Sequence, residues 1–284
     1  MPCLITLQHL TPNTQRRNQA HVFVLALLAA APVAAADLPL WELGLGAGTL
    51  RLPHYRGSDQ HHQWLLPVPY VVYRGDILRS DRQGTRAVLL DTERVDLDIS
   101  IDGSAPTRSS DNRTRTGMPD LAATLQIGPK LNIVLGRGED WKFDLRLPLR
   151  AVVVAETRPR TVGWTFSPIL NLDLRWRGWN LGFSGGPQAA SRGYNAYFYD
   201  VAPADVTAVR PAYAAAGGRA GWGMTASASR RVGPWWLAGY VRHESLAGAG
   251  FRGSPLVKQN SNLSFGLALS RAFLVSDARV AERR

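Results

Sequence analysis

From Trp141 to Arg150 the chain alternates apolar and charged residues almost one for one. Trp141, Phe143, Leu145, Leu147 and Leu149 occupy the odd positions. Lys142, Asp144, Arg146 and Arg150 occupy the even ones, with Pro148 the exception. A period of two sends the two sets to opposite faces of a β-strand. The same pattern recurs at Trp41–Thr49, Val95–Asp102, Leu121–Ile127, Trp164–Trp176, Trp179–Ser184 and Leu263–Phe273. Tyr213–Arg230 reads as a strand of small residues, and Trp235–Glu244 as its neighbour. Trp64–Tyr73 is a further strand, whose Pro67 and Pro69 predict an edge or a rim. Ile77–Asp81 and Arg86–Asp91 form a shorter pair around Gln83-Gly84.

Turn signals such as Gly136–Asp140, Gly178 and Arg231–Pro234 are brief. Other connections, Pro53–Gln63, Ser104–Gly117, Gln188–Pro211 and Ser245–Gln259, are long and polar or irregular. About twelve strands (the alternative is ten), joined by short turns at one end and long loops at the other, predict an all-β, antiparallel transmembrane β-barrel. It would be closed by the strand ending at Phe273. The odd face of Trp141–Arg150 would meet lipid and its charged face the lumen. Trp41, Trp64, Trp141, Trp164, Trp176 and Trp179, near strand ends, would form the interfacial girdles. A soluble sandwich would need to bury the same apolar faces between two sheets. In lipid the sheet closes because an unpaired edge is too costly there.

The N-terminus changes the picture further. Arg16-Arg17 precede the apolar run Val22–Ala31, and Ala34-Ala35-Ala36 supply small residues before Asp37. These features predict a secretory signal over residues 1–36, cleaved between Ala36 and Asp37. The barrel is then expected over 37–273 and a short charged tail over 274–284. Arg271 has the outward parity and would need a rim position, where its charge reaches headgroups.

The 284-residue chain carries a formal charge of +11, with 19% charged and 45% hydrophobic residues. The composition is not that of a disordered chain. The basic residues are dispersed, and no zinc-finger spacing, RNP-like aromatic signature or long basic helix accompanies them, so no nucleic-acid partner is expected. The lone cysteine, Cys3, lies in the expected leader, which leaves the mature chain without thiol chemistry.

Candidate chemistry is sparse. His54, His61 and His62 share the first loop, where a metal would need ligands converging from fixed backbone. Asp96, Asp98 and Asp102 share one face of a strand and read as lumen charges paired with Lys142, Arg146, Arg150 or Arg175. His243 and Ser245 stand too close in sequence to form a dyad from neighbouring strands. Gly44, Gly46 and Gly48 lack the helix that a phosphate loop requires and fit a curved, crowded strand. No cofactor, metal or catalytic residue is assigned, and the chain is expected not to be an enzyme.

Several short segments carry a family resemblance. They are Tyr55-Arg56-Gly57-Ser58-Asp59-Gln60, Pro69-Tyr70-Val71-Val72-Tyr73-Arg74-Gly75, Asp111-Asn112 and Gly117-Met118-Pro119-Asp120-Leu121. Then come Tyr194–Val201, Arg210-Pro211-Ala212-Tyr213 with Gly217-Gly218, and Ser254-Pro255-Leu256-Val257. In this order they resemble the MltA-interacting protein/OmpV family of outer-membrane proteins, over roughly Leu40 to Phe273. The resemblance implies a bacterial outer-membrane barrel without established catalytic activity. It implies contact with outer-membrane lipid and the barrel-assembly machinery, which reads a terminal aromatic such as Phe273. It also implies a scaffold that tethers a lytic transglycosylase or a peptidoglycan synthase, with a small-solute pore, a surface adhesin and a lipid hydrolase as alternatives.

Overall fold

The computed structural model describes residues 38–81 and 84–280. The expected signal segment and its cleavage site at Ala36 and Asp37 lie outside the described residues. The strands are β1 (Leu38–Pro39), β2 (Trp41–Pro53), β3 (His61–Arg74), β4 (Leu78–Asp81) and β5 (Gly84–Asp91). β6 (Val95–Ser104), β7 (Thr124–Arg137), β8 (Trp141–Val154), β9 (Arg160–Phe166) and β10 (Ile169–Trp176) follow. Next are β11 (Trp179–Ala190), β12 (Gly218–Val232), β13 (Trp235–Ser245), β14 (Ser261–Val275) and β15 (Arg279–Val280).

β2 to β14 close into one antiparallel ring, with β14 against β2 and β8 against both β9 and β10. β9 and β10 share one position in the ring, interrupted at Ser167-Pro168, so the barrel has twelve positions. The sequence expects a single strand over this stretch. The break falls at Pro168, which has no N–H to contribute to a ladder.

The odd residues of Trp141–Arg150 point outward and the even ones inward, where Asp144 is buried. Leu45, Leu65, Leu149, Leu170, Leu237 and Leu267 are exposed around the outside. Such an apolar belt costs nothing in lipid and is far too large for a water-facing surface. Inward glycines mark where the wall curves tightly. A Cβ on Gly46 would lie 2.0 Å from the Leu269 carbonyl oxygen, and one on Gly44 2.1 Å from that of Arg271.

The end that holds Leu38 and Val280 has tight turns. At the β10–β11 turn, Arg177 and Gly178 both have positive φ, the type I′ requirement for a two-residue hairpin. Trp41, Trp141, Trp176, Trp179 and Trp235 stand at this rim. Arg271 sits there too, its guanidinium over the rings of Trp235 and Phe273. Trp164 and Trp222 lie on the outward face near the opposite end. Trp64 departs from the expected girdle. It has the inward parity of β3 and stacks on His62, ring centroids 4.5 Å apart.

The final strand runs two residues beyond Phe273, to Val275, and Phe273 is the extra residue of a bulge against β2. The tail then returns, and Arg279–Val280 pairs with Leu38–Pro39.

β4 and β5 are much shorter than their neighbours. β4 pairs with β3 only at Tyr73 and Arg74, and β5 leaves β6 after Ser100. Among the described residues, 61–72 of β3 and 101–104 of β6 therefore have a partner strand on one side alone.

Candidate functional site

The apolar core of this protein does not lie in the barrel wall. It lies among the long loops, which pack together over one mouth. Tyr55, Met118, Leu121, Phe198, Tyr199, Val201, Leu246, Phe251 and Leu256 form a single buried cluster drawn from four connections. In the β11–β12 connection, where the sequence predicts irregular chain, a helix α1 (Arg192–Tyr199) forms. Ser191 caps it by accepting from the Tyr194 N–H, which satisfies one of the free donors of the first turn. Tyr194/Phe198 and Asn195/Tyr199, each four apart, bury one face. That spacing and the Ser191 cap were the available signals; the run of aromatics, with their strand preference, masked them.

The cap is stitched by polar contacts as well as packing. Tyr199 donates its hydroxyl to the Arg56 carbonyl (2.9 Å), and Ser254 donates to the Tyr199 carbonyl (2.7 Å). Tyr55 donates to the Leu256 carbonyl (2.8 Å). Arg115 is buried and donates to the carbonyls of Phe198 (3.2 Å) and Pro119 (3.0 Å) and to Ser109 Oγ (3.3 Å). Arg210 donates to the carbonyls of Thr114 (2.9 Å) and Thr116 (3.1 Å). A guanidinium suits this work because five fixed donors can satisfy several loop carbonyls at once. Burial pushes the Tyr55 hydroxyl up to about 12 and holds the Arg115 guanidinium below its ordinary value. These groups are fastenings rather than proton-transfer groups.

Most of the residues that carry the family resemblance meet here. Gly57, at φ +90°, donates its N–H to Asn262 Oδ1 (2.6 Å), and a Cβ there would press on Leu246. Ser58 Oγ accepts from Asn112 Nδ2 (3.2 Å), and Asp59 pairs with Arg113 at the surface (3.5 Å). Asp120 accepts from the Ser109 N–H (2.7 Å), while Met118 and Leu121 are in the buried cluster. Tyr213 donates to the Gly250 carbonyl (3.3 Å), Gly217 lies against the start of α1, and Pro255 follows Ser254 in the loop that packs on Tyr199. Gly117 and Gly218 adopt positive φ.

A second group lies at the opposite end. Arg74 donates to Glu42 Oε1 (2.8 Å), Arg231 bonds the other oxygen, and Tyr70 approaches it at 3.5 Å. Tyr73 pairs with Trp41 at the outer rim, and Pro69 stands on the partly unpaired edge of β3.

Between these ends the lumen carries ion pairs. Lys130 meets Asp98 (3.2 Å), and Arg146 meets Asp144 (2.6 Å) and Asp173 (3.3 Å). Arg150 meets Asp102 (3.4 Å), as the strand pattern expects. Directly under the cap, Arg56 (3.2 Å) and Arg242 (3.1 Å) share Glu244. Charges withdrawn from water need such partners.

Two of the three histidines, His54 and His62, are fixed rather than loose. His54 and His62 rings lie 4.2 Å apart; His54 Nδ1 contacts Asn112 Nδ2 (3.1 Å), and His62 Nε2 contacts Thr107 Oγ1 (3.0 Å). With His61 they line a polar groove of about 440 Å³. Among the described residues, no three His, Cys, Asp or Glu side chains are grouped to hold a metal ion. His243 is on the outer face of β13, exposed and turned away from the lumen.

A closed antiparallel ring with an apolar outside, a charged inside and loops folded over one mouth defines a transmembrane β-barrel protein of the outer-membrane class. Residues 45–273 match the family model described as MltA-interacting protein MipA, and the chain belongs to that family. No curated protein matches it. Among solved structures the chain is similar to a bacterial polysaccharide outer membrane secretin, with 10% identity over 84% of this chain and 100% of that one and a TM-score of 0.43. It is also similar to outer membrane phospholipase A from Escherichia coli (9% identity, 86% and 94% covered, TM-score 0.32). A third is the Pseudomonas putida toluene transporter TodX (12% identity, 86% and 69% covered, TM-score 0.27).

Proposed function

We propose that this protein is a non-enzymatic barrel of the bacterial outer membrane that anchors murein-remodelling enzymes to that membrane. The observation that carries the reading is the distribution of order in the molecule. Its best-packed region is a cap over one mouth, and ion pairs occupy the lumen, so its build is that of a fixture. The family's name, MltA-interacting protein, supports a murein enzyme as the partner. Export by a signal over residues 1–36, with cleavage before Asp37 and a barrel over 37–273, belongs to the same proposal. Phe273, near the end of the last strand, is proposed as the aromatic that the assembly machinery reads.

The proposed contact with the partner is at the end that holds Leu38 and Val280, because the capped end would face outward. Affinity capture of the protein from mild detergent tests this. Recovery of a lytic transglycosylase or a peptidoglycan synthase is expected, and its repeated absence would overturn the tether. The cap also bears on the pore alternative. A mouth closed by Tyr199, Phe251 and Leu256 predicts little single-channel conductance in a planar bilayer, and large stepwise openings would favour a solute channel instead.

A further inference from the structure

Among the described residues the wall of the barrel has a gap on its loop side, and two prolines mark one edge of it. Arg74 donates its N–H to Leu40, on the β2 side of β3. Backbone groups of successive residues point to alternate sides of a strand, so even residues of β3 bond β2 and odd residues face the other edge. Consistent with this, the Val71 carbonyl faces β4 and accepts from Ser80 Oγ (3.4 Å). Pro67 and Pro69 are odd. Their missing N–H groups are therefore aimed at the edge that has no partner strand. The β4–β5 hairpin closes the lower part of this gap. The loop side is closed by Thr107, which bonds the His54 carbonyl (2.9 Å) and contacts His62 (3.0 Å).

A free edge of this kind could take a strand from a partner. Two prolines remove donors from it, which is how natural edges resist strand addition. The side chains fit another occupant. Leu66 and Val68 have the inward parity, and Leu66 is 41% exposed, so the β3 rim of the gap is apolar. Across the gap Asp102 is 51% exposed, more than the lumen carboxylates Asp173 (44%), Asp144 (1%) and Glu42 (0%). Behind it, Arg150 donates to Ser100 Oγ (3.0 Å) and Asp102 (3.4 Å). Arg150 on β8 and Arg242 on β13 both have the inward parity toward the loop side of the wall, so the Arg56–Glu244–Arg242 group faces the same chamber under α1. Among the described residues three guanidiniums there, Arg56, Arg150 and Arg242, meet two carboxylates, Asp102 and Glu244, and the buried Arg242 Nε has no hydrogen-bond partner. The chamber thus presents a cationic donor without a partner, and on its β3 side the opening is lined by Leu66 and Val68.

We propose that the gap between β3 and β6 is a lateral portal for a membrane-borne, single-chain amphiphile with an anionic head. The head enters the chamber and meets Arg150 and Arg242, while the chain lies across Leu66 and Val68 into the bilayer. The proposal rests on membrane residence of the barrel, and heat-modifiable gel mobility of each sample checks that point separately.

The test uses the folded protein in nanodiscs and palmitate carrying a diazirine, with adducts mapped by mass spectrometry. Adducts on the inward residues Leu66 and Val68 are expected, displaced by excess palmitate but poorly by hexadecanol. Arg242→Gln should weaken palmitate competition about tenfold, the scale of one hydrogen bond to a charged group. Leu66→Trp, which fills the opening, should suppress the inward adducts with mobility unchanged; this variant decides the matter if Arg242→Gln does not fold. Adducts confined to outward residues such as Leu65, or equal competition by palmitate and hexadecanol, would overturn the portal.

Discussion

Tyr199 and Phe251 stack face to face, their ring centroids 3.8 Å apart and their planes within 6° of parallel. One ring ends α1 and the other belongs to the β13–β14 loop, so this contact joins two connections that are distant in sequence. Both rings are almost fully buried. Replacing a large buried aromatic with alanine costs about 3–5 kcal/mol, most of it from lost packing. Phe251→Ala should therefore loosen the cap and leave the wall intact. The check is limited proteolysis of the assembled protein. Faster cleavage within residues 191–217 is expected, with heat-modifiable mobility retained. Unchanged cleavage would mean that the loops hold together without this stack.

Arg115 supplies three donors to a buried site. Arg115→Lys keeps the charge but cannot satisfy the same carbonyls, and each buried acceptor left without a donor costs about 1–3 kcal/mol. The same proteolysis should detect the change. Resistance equal to that of the native protein would show that charge alone matters there.

His54 predicts a pH response of the cap. Burial, and then the neighbouring His62, lower its pKa from 6.5. The unfolded loop consequently binds the proton more readily than the packed one. Stability is greatest above the unfolded value of 6.5 and is lost as the pH falls from there through the lower folded value. Protonation also places a hydrogen on Nδ1, which contacts Asn112 Nδ2. Cleavage of the 105–123 loop should rise on acidification below about pH 6.5, the ordinary histidine range, and His54→Gln should flatten that response. An identical acid profile in the variant would remove His54 from the account.

Leu145 lies on the outward face of β8 with Asp144 and Arg146 on the other. Leu145→Arg should cost about 2–4 kcal/mol if it lies near the bilayer midplane and should reduce the yield of assembled barrel. Full tolerance of that change would mean that the faces are reversed.

How much of this was legible in the sequence follows from what each element packs against. The faces of β8 were readable because a wall strand has only two environments, and each leaves its own parity. The short β4–β5 pair and the edge character of Pro67 and Pro69 were readable too, since proline constrains the ladder locally. The gap they create was not, because it depends on where β6 leaves β5. The concentration of aromatics at barrel rims predicts a rim position for Trp64, but its even parity turns it inward onto His62. The cap was the least legible part. Its segments Tyr55–Asp59, Gly117–Leu121 and Ser254-Pro255 were visible as separate pieces carrying the resemblance. Their contacts cross as many as 205 residues, as from Gly57 to Asn262, and no local pattern encodes such a pairing.

The central claim is a closed barrel resident in the outer membrane, and fractionation with heat-modifiable gel mobility tests it most directly. The account predicts that the protein sediments with the outer membrane and runs faster unboiled than boiled, because a closed ring stays compact in detergent. Recovery as a soluble periplasmic protein, with the same mobility before and after boiling, would contradict it.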